Sequence, residues 1–193
     1  MVKEKPLGAG SSSFNLIHPD SLFGELNLQK GCTFLDMACG PGEYAIAASK
    51  HVGDAGLVYA VDLWEEAIDA LFKKVSALGL KNIRMMVGNV SQPLPIAAGA
   101  VDVCLISTVL HDFVQEGVAE KALEEVVRVL KPKGLLAIVE FKKIEGPPGP
   151  PMRIRLSPEE VERRVLPHGF ILMRLRDIGP YNYLVIFEKT VTL

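Results

Sequence analysis

The chain has 193 residues, 49% of them hydrophobic and 23% charged, with a formal net charge of -2. That length suits one domain burying roughly 70% of its unfolded surface, and the charge lacks the basic excess of a nucleic-acid binder. Cys32, Cys39 and Cys104 lie in or beside apolar runs at spacings that match no metal motif, so they read as free thiols of a reducing compartment and no metal is expected. The N-terminal "MVKEKPLGAGSSSF" lacks the apolar core of a signal peptide and no stretch reaches membrane-span length, so a cytoplasmic protein is expected.

In chain order, residues 1–30 are expected to form an N-terminal helical segment or lid, with a short helix around "PDSLFGEL" that His18 enters from solvent. The main domain, 31–193, then alternates short β-rich runs with amphipathic segments. "CTFLDM" is a strand, and "GEYAIAASKHV" a helix starting on a glycine turn. "GLVYAVD" is the second strand, and in "WEEAIDALFKKVSALGL" Trp64, Ala67, Ile68, Leu71, Val75 and Leu78 share one helical face. "NIRMMVG" and "VDVCLIS" are the third and fourth strands; the helix "EKALEEVVRVL" stops at "KPKG" before the fifth strand, "LLAIVEF".

Prolines stiffen the loop "KIEGPPGPPMRIRLS", where Arg153 and Arg155 alternate with apolar residues and read either as solvated or as facing an anionic acceptor from one side of an extended strand. "FILMRLRDIG" and "YNYLVIFEKT" form the last pair, which the short "GPYN" link makes antiparallel. The predicted class is α/β: a Rossmann-like doubly wound sheet, mostly parallel, with an antiparallel last strand.

Ligands of open parallel sheets bind outside the carboxyl ends of the strands. The turn "LDMACGPG" sits there, where Gly40 and Gly42 let a ligand approach the backbone. Asp62 ends the second strand, where an acid accepts ribose hydroxyls, and Asn89 and Val90 follow the third with an amide and an apolar wall for a purine. Three successive strand ends thus describe a nucleoside pocket without a phosphate-binding lysine.

"FLDMACGPG", "AVDLWEEAI", "VGNVSQPLPIAAGAVDVCLIS" and "EEVVRVLKPKGLLAIVE" together resemble the ordered motifs of class I S-adenosylmethionine (SAM)-dependent methyltransferases, a seven-stranded fold, and in particular the small-molecule group that includes quinone-biosynthesis C-methyltransferases. The resemblance implies that Asp36 and the turn Ala38, Cys39, Gly40 and Gly42 serve the methionine end of the cofactor, with Cys39 filling space. It further implies that Asp62 holds the ribose, Leu63 and Val90 sandwich the adenine, Asn89 meets its amine, and the backbone near Ser107 holds the methionine portion. Two positions depart from the family pattern. Ala38 replaces the usual first glycine, tolerable at an ordinary negative φ, and Asn89 replaces an acid but leaves an amide oxygen.

"STVLHDF" is similar to the histidine-aspartate signature of plant-type O-methyltransferases, which implies a general base at His111 beside Asp112, with Glu140 as the flanking acid. The plainer reading has His111 capping or packing its helix. Tyr44 and Phe113 stand near the acceptor pocket or in its walls, and Trp64 stacks on adenine or packs in the core. The expected function is methyl transfer from SAM to a small-molecule acceptor, with O, C and N open as the atom accepting the methyl. Nucleic acid is disfavoured, because the Asn/Asp-Pro-Pro-aromatic motif of base methyltransferases is missing after the fourth strand, and a homodimer is left open. The rivals are a non-catalytic SAM-binding protein and an NAD-dependent oxidoreductase, for which only part of the G-x-G-x-x-G turn is present.

Overall fold

The structure, a computed structural model, describes residues 12–191. Residues 1–11 of the expected N-terminal segment lie outside the described residues. From Ser12 onward that segment forms a single 3₁₀ turn, Phe14–Leu16, and helix α1, Pro19–Leu26. Proline at the first helical turn and Asn27 in the left-handed region (φ 46°) start and stop α1. Its Leu22, Phe23 and Leu26 are buried.

Seven strands form one sheet in the order β3-β2-β1-β4-β5-β7-β6. They are β1 (Thr33–Met37), β2 (Leu57–Asp62), β3 (Ile83–Val87), β4 (Val101–Ser107), β5 (Leu130–Phe141), β6 (Phe170–Asp177) and β7 (Asn182–Lys189). The first five are mutually parallel and β7 is antiparallel to both its neighbours, as the short link requires. Because β1 lies between β2 and β4, chain order reverses beside it. The carboxyl ends of β1, β2, β3, β4 and β5 therefore share one rim, with the crevice above β1.

The helices between strands are α2 (Glu43–Val52), α3 (Glu65–Ala77), α4 (Leu110–Gln115), α5 (Ala119–Val129) and α6 (Pro158–Val165). Two apolar clusters cover the two sheet faces. One packs Leu22, Phe34, Ala48 and Leu71; the other packs Leu35, Ile106, Leu123 and Phe187. In α3 the apolar face is shorter than the sequence pattern: Ala67, Ile68, Leu71 and Val75 are buried, but Trp64 is half-buried ahead of the first turn and Leu78 is exposed just past the last.

"KPKG" does not separate α5 from β5. Leu130 already pairs with Val101, and the strand resumes at Leu135 opposite Val103 after a register shift. Lys133 (φ 61°) makes the bulge, and Lys131 anchors it through a 2.7 Å ion pair with Asp102, which also accepts the Thr33 N–H. The proline-rich segment departs further from expectation. Met152–Ile154 is a 3₁₀ turn rather than a strand, so Arg153 and Arg155 do not share a side; Arg153 is exposed and Arg155 is 2% exposed.

Candidate functional site

After β1 the chain turns sharply into α2, with Ala38 (φ 59°), Gly40 (φ 50°) and Gly42 (φ 79°) all left-handed. Ala38 therefore does not keep the ordinary negative φ at which alanine in place of glycine is tolerable. The turn imposes a conformation costing about 1–2 kcal/mol for a residue with a Cβ. Backbone hydrogen bonds fix it: Cys39 N donates to Val61 O at 2.9 Å, and Gly42 N donates to Cys39 O at 2.9 Å. Gly42 also has a packing reason, since a Cβ there would lie 2.3 Å from Cδ1 of the buried Leu71.

A cavity of about 590 Å³ opens at this rim. Ala38, Gly40, Asp62, Leu63, Asn89, Val90 and Ser107 line one part of it; His111, Asp112, Phe113, Phe141, Pro150 and Ile154 line another. Asp36, Cys39, Gly42 and Tyr44 stand outside that lining, behind the turn, and Glu140 stands behind His111.

Asp62 joins turn and strand. One carboxylate oxygen accepts Gly40 N at 2.7 Å, the other Trp64 N at 2.8 Å, and each keeps a lone pair for a ligand hydroxyl. Asp36 is 1% exposed, and its Oδ2 has no hydrogen-bond partner among the described residues. Burial chiefly, then the charges of Asp62 and Glu43, push its pKa up to about 8 against the Ala45 N–H that opposes them. A cation nearby favours the ionised carboxylate and brings that pKa down.

Asn89 is exposed, and its amide oxygen accepts from both N and Oγ of Ser91, at 2.9 and 2.8 Å. The amide oxygen anticipated for the adenine amine is thus committed locally, and the Nδ2 hydrogens are what Asn89 offers a ligand. Burial, with Asp36 and Asp62 adding to it, holds the Cys39 thiol well above its ordinary pKa, so it fills space rather than attacks.

His111 sits at the start of α4, which follows β4, and is 4% exposed. Its Nδ1 lies 2.9 Å from each carboxylate oxygen of Glu140, a residue with no exposed surface at the end of β5. Glu140 also accepts the backbone N–H groups of His111 and Phe141. A carboxylate only accepts, so Nδ1 carries the hydrogen, and Nε2, 3.6 Å from Asp112 Oδ1, has the lone pair in the neutral ring. Burial disfavours the charged imidazole, but the Glu140 hydrogen bond and charge, with Asp112, outweigh it and hold the pKa above its ordinary value.

Two participants escaped the sequence reading, and the role of a third was missed. Ser13, 3% exposed, bonds Tyr44 Oη at 2.8 Å and Thr108 Oγ1 at 3.0 Å, with Ser107 Oγ at 3.3 Å. This hydroxyl cluster fastens the N-terminal segment to α2 and the end of β4, and nothing local to "SSSF" announces it. Thr108, left-handed at φ 52°, belongs to the same knot. Arg155 is the third. Its signal was indirect: a long loop without strands leaves carbonyls in need of donors.

Residues 20–185 match the ubiE/COQ5 methyltransferase family. The chain belongs to that family. It is 33% identical over 121 residues to a demethylmenaquinone methyltransferase of Geobacillus kaustophilus, covering 63% of this chain and 50% of that protein. It is also 33% identical over 111 residues to a ubiquinone/menaquinone biosynthesis C-methyltransferase UbiE of Blochmanniella pennsylvanica, covering 58% and 42%. The chain thus spans about half the length of the curated relatives it matches. The crystal structure of a SAM-dependent methyltransferase from Aquifex aeolicus superposes with a TM-score of 0.84 at 33% identity, covering 93% of this chain and 94% of that one.

S-adenosylmethionine is the cofactor that this family and fold imply, and the cavity fits it. The turn presents backbone without a Cβ at Gly40, Leu63 and Val90 offer apolar surface, and behind the turn Asp36 has a buried oxygen without a hydrogen-bond partner among the described residues. Among the described residues no lysine or arginine lines the cavity, which suits a sulfonium nucleoside and not a pyrophosphate.

Proposed function

We propose that the protein methylates a small, flat, largely apolar molecule bearing an ionisable hydroxyl, of the reduced-quinone type. The observation that carries this is His111: its Nδ1 is held by Glu140 and its ring borders the part of the cavity that Phe113, Phe141, Pro150 and Ile154 also line. When bound, the cofactor supplies an electrophilic methyl group on a cationic sulfur. Such a methyl group requires an electron-rich acceptor. A hydroxyl that loses its proton to His111 Nε2 makes its own oxygen, or the ring carbon beside it, nucleophilic.

The remaining residues hold and orient. Asp62 takes the ribose hydroxyls, Leu63 and Val90 enclose the adenine, and the turn at Ala38 and Gly40, with Asp36 behind it, faces the methionine end. Ser12, Ser13 and Leu16 border the same cavity, which supports a lid role for the segment from Ser12 onward, keeping water from the reacting atoms. A small molecule is favoured over nucleic acid because the cavity lining carries the acids Asp62, Asp112 and Glu116 and, among the described residues, no lysine or arginine. The free thiols support a cytoplasmic setting, and no helix among the described residues is long and apolar enough to cross a membrane.

The test is methyl transfer from labelled SAM to chemically reduced demethylmenaquinone, the acceptor class in a relative's name. Wild-type protein labels it, and His111→Ala lowers the rate by on the order of 10² to 10⁴. An alanine variant within a few-fold of wild type removes the base. No transfer to any quinol or phenol removes the function.

A further inference from the structure

We infer that Arg155 is a positioning residue that shapes the acceptor side of the cavity by gathering residues 142–151 around its guanidinium. The inference deepens the proposed function, on which it rests, by naming what sets acceptor choice.

A guanidinium has five N–H donors and cannot shed its charge. In Arg155 all five are used, at 2.8 to 3.0 Å: Nε donates to Pro150 O, one terminal nitrogen to Lys142 O and Ile144 O, the other to Gly146 O and Pro148 O. Every second carbonyl of the loop therefore points inward at one cation. No carboxylate pairs with Arg155 among the described residues. Its Cζ lies 5.6 Å from the centroid of the Phe141 ring, a cation–π distance. A loop with four prolines in residues 142–151 has few N–H groups of its own to satisfy those carbonyls, so the arginine takes the place of a strand partner.

What the loop does follows from where its far limb lies. Gly149, Pro150, Pro151 and Ile154 border the cavity. Gly149 (φ 94°) lies flat on Phe141, where a Cβ would fall 2.6 Å from the ring. The acceptor thus meets a rigid apolar surface of prolines and one ring, whose position is fixed from behind by Arg155. The guanidinium charge also opposes protonation of His111. A planar aromatic acceptor fits such a slot, and a bulky or strongly polar one is turned away. The cofactor residues Asp62, Leu63 and Val90 belong to other strand ends and do not depend on the loop.

The experiment compares wild type with Arg155→Lys and Gly149→Ala. Lysine keeps the charge but offers three donors, and Gly149→Ala displaces the loop while leaving the arginine side chain itself unchanged, which guards against a variant that merely fails to fold. Calorimetry measures S-adenosylhomocysteine (SAH) binding, then 1-naphthol binding to the SAH complex, while hydrogen exchange follows residues 142–151 and reduced demethylmenaquinone provides KM and kcat. SAH affinity is expected to stay within threefold in both variants, with 1-naphthol affinity tenfold or more weaker, loop exchange at least tenfold faster in Arg155→Lys, and acceptor KM raised more than kcat is lowered. Unchanged naphthol affinity and loop exchange in both variants would overturn the inference, as would equal loss of SAH and naphthol binding. A wild-type protein that binds 1-naphthol but methylates nothing would count against the proposed function and leave the role of Arg155 standing.

Discussion

Glu140 reaches His111 Nδ1 with both carboxylate oxygens at 2.9 Å, across 29 positions of sequence. The pair orients the ring and sets the pH at which it accepts a proton. Since His111 is held above its ordinary pKa, the neutral base accumulates only as pH rises through that raised value, and the rate should climb with a midpoint above about 6.5. In Glu140→Gln burial acts unopposed by the carboxylate, so the midpoint moves down even as the rate falls. A pH–rate profile checks both. A midpoint that stays put in Glu140→Gln separates the two groups.

The same pair contributes stability with a definite sign. A histidine whose folded pKa exceeds its unfolded value stabilises fully below the unfolded value, and that stabilisation is lost as pH rises through the folded one. Urea unfolding at several pH values should show this loss above pH about 6.5, and His111→Phe should flatten it.

Asp36 works in the opposite direction. Its folded pKa of about 8 means that folding costs progressively more as pH rises from the ordinary carboxylate range to about 8, and no more beyond. Asp36→Asn should raise the unfolding free energy at pH 8 by roughly 2–5 kcal/mol while weakening SAH binding. Thermal unfolding with and without SAH measures both. Greater stability with undiminished binding would detach Asp36 from the cofactor.

At the turn, Ala38→Gly should stabilise by about 0.5–1 kcal/mol, or about 1–4 °C, because glycine adopts the left-handed φ freely and returns only part of that gain to the unfolded chain. A loss of stability would mean that the Ala38 methyl group packs usefully.

Gly42 and Leu71 should couple. Gly42→Ala forces a Cβ into the Leu71 side chain, and Leu71→Ala opens room for it. A double-mutant cycle should show about 1–3 kcal/mol of favourable interaction, and simple additivity would place the clash elsewhere.

The sheet was legible because parallel strands buried on both faces are written as continuous apolar runs, as in "VDVCLIS" and "LLAIVEF". At the site, Asp62 and Val90 were named from the strand ends and Leu63, His111 and Glu140 from a resemblance; all but Glu140, which stands behind His111, border the cavity. What was missed depends on backbone geometry or distant partners. "KPKG" looked like a stop, but its bulge is held by Asp102 from a neighbouring strand. The left-handed Ala38 is dictated by hydrogen bonds to Val61 and within the turn. Arg155 resembled a surface charge because its partners are carbonyls, which any residue carries and no pattern marks. Ser13 met Tyr44, Ser107 and Thr108 only through the fold.

The most direct measurement is calorimetric titration of the purified protein with SAH and, separately, NAD, repeated on Asp62→Ala. The account predicts saturable SAH binding, loss of at least tenfold in affinity in Asp62→Ala, and no heat with NAD. Absence of SAH binding at millimolar concentration, or equal binding by Asp62→Ala, would contradict it.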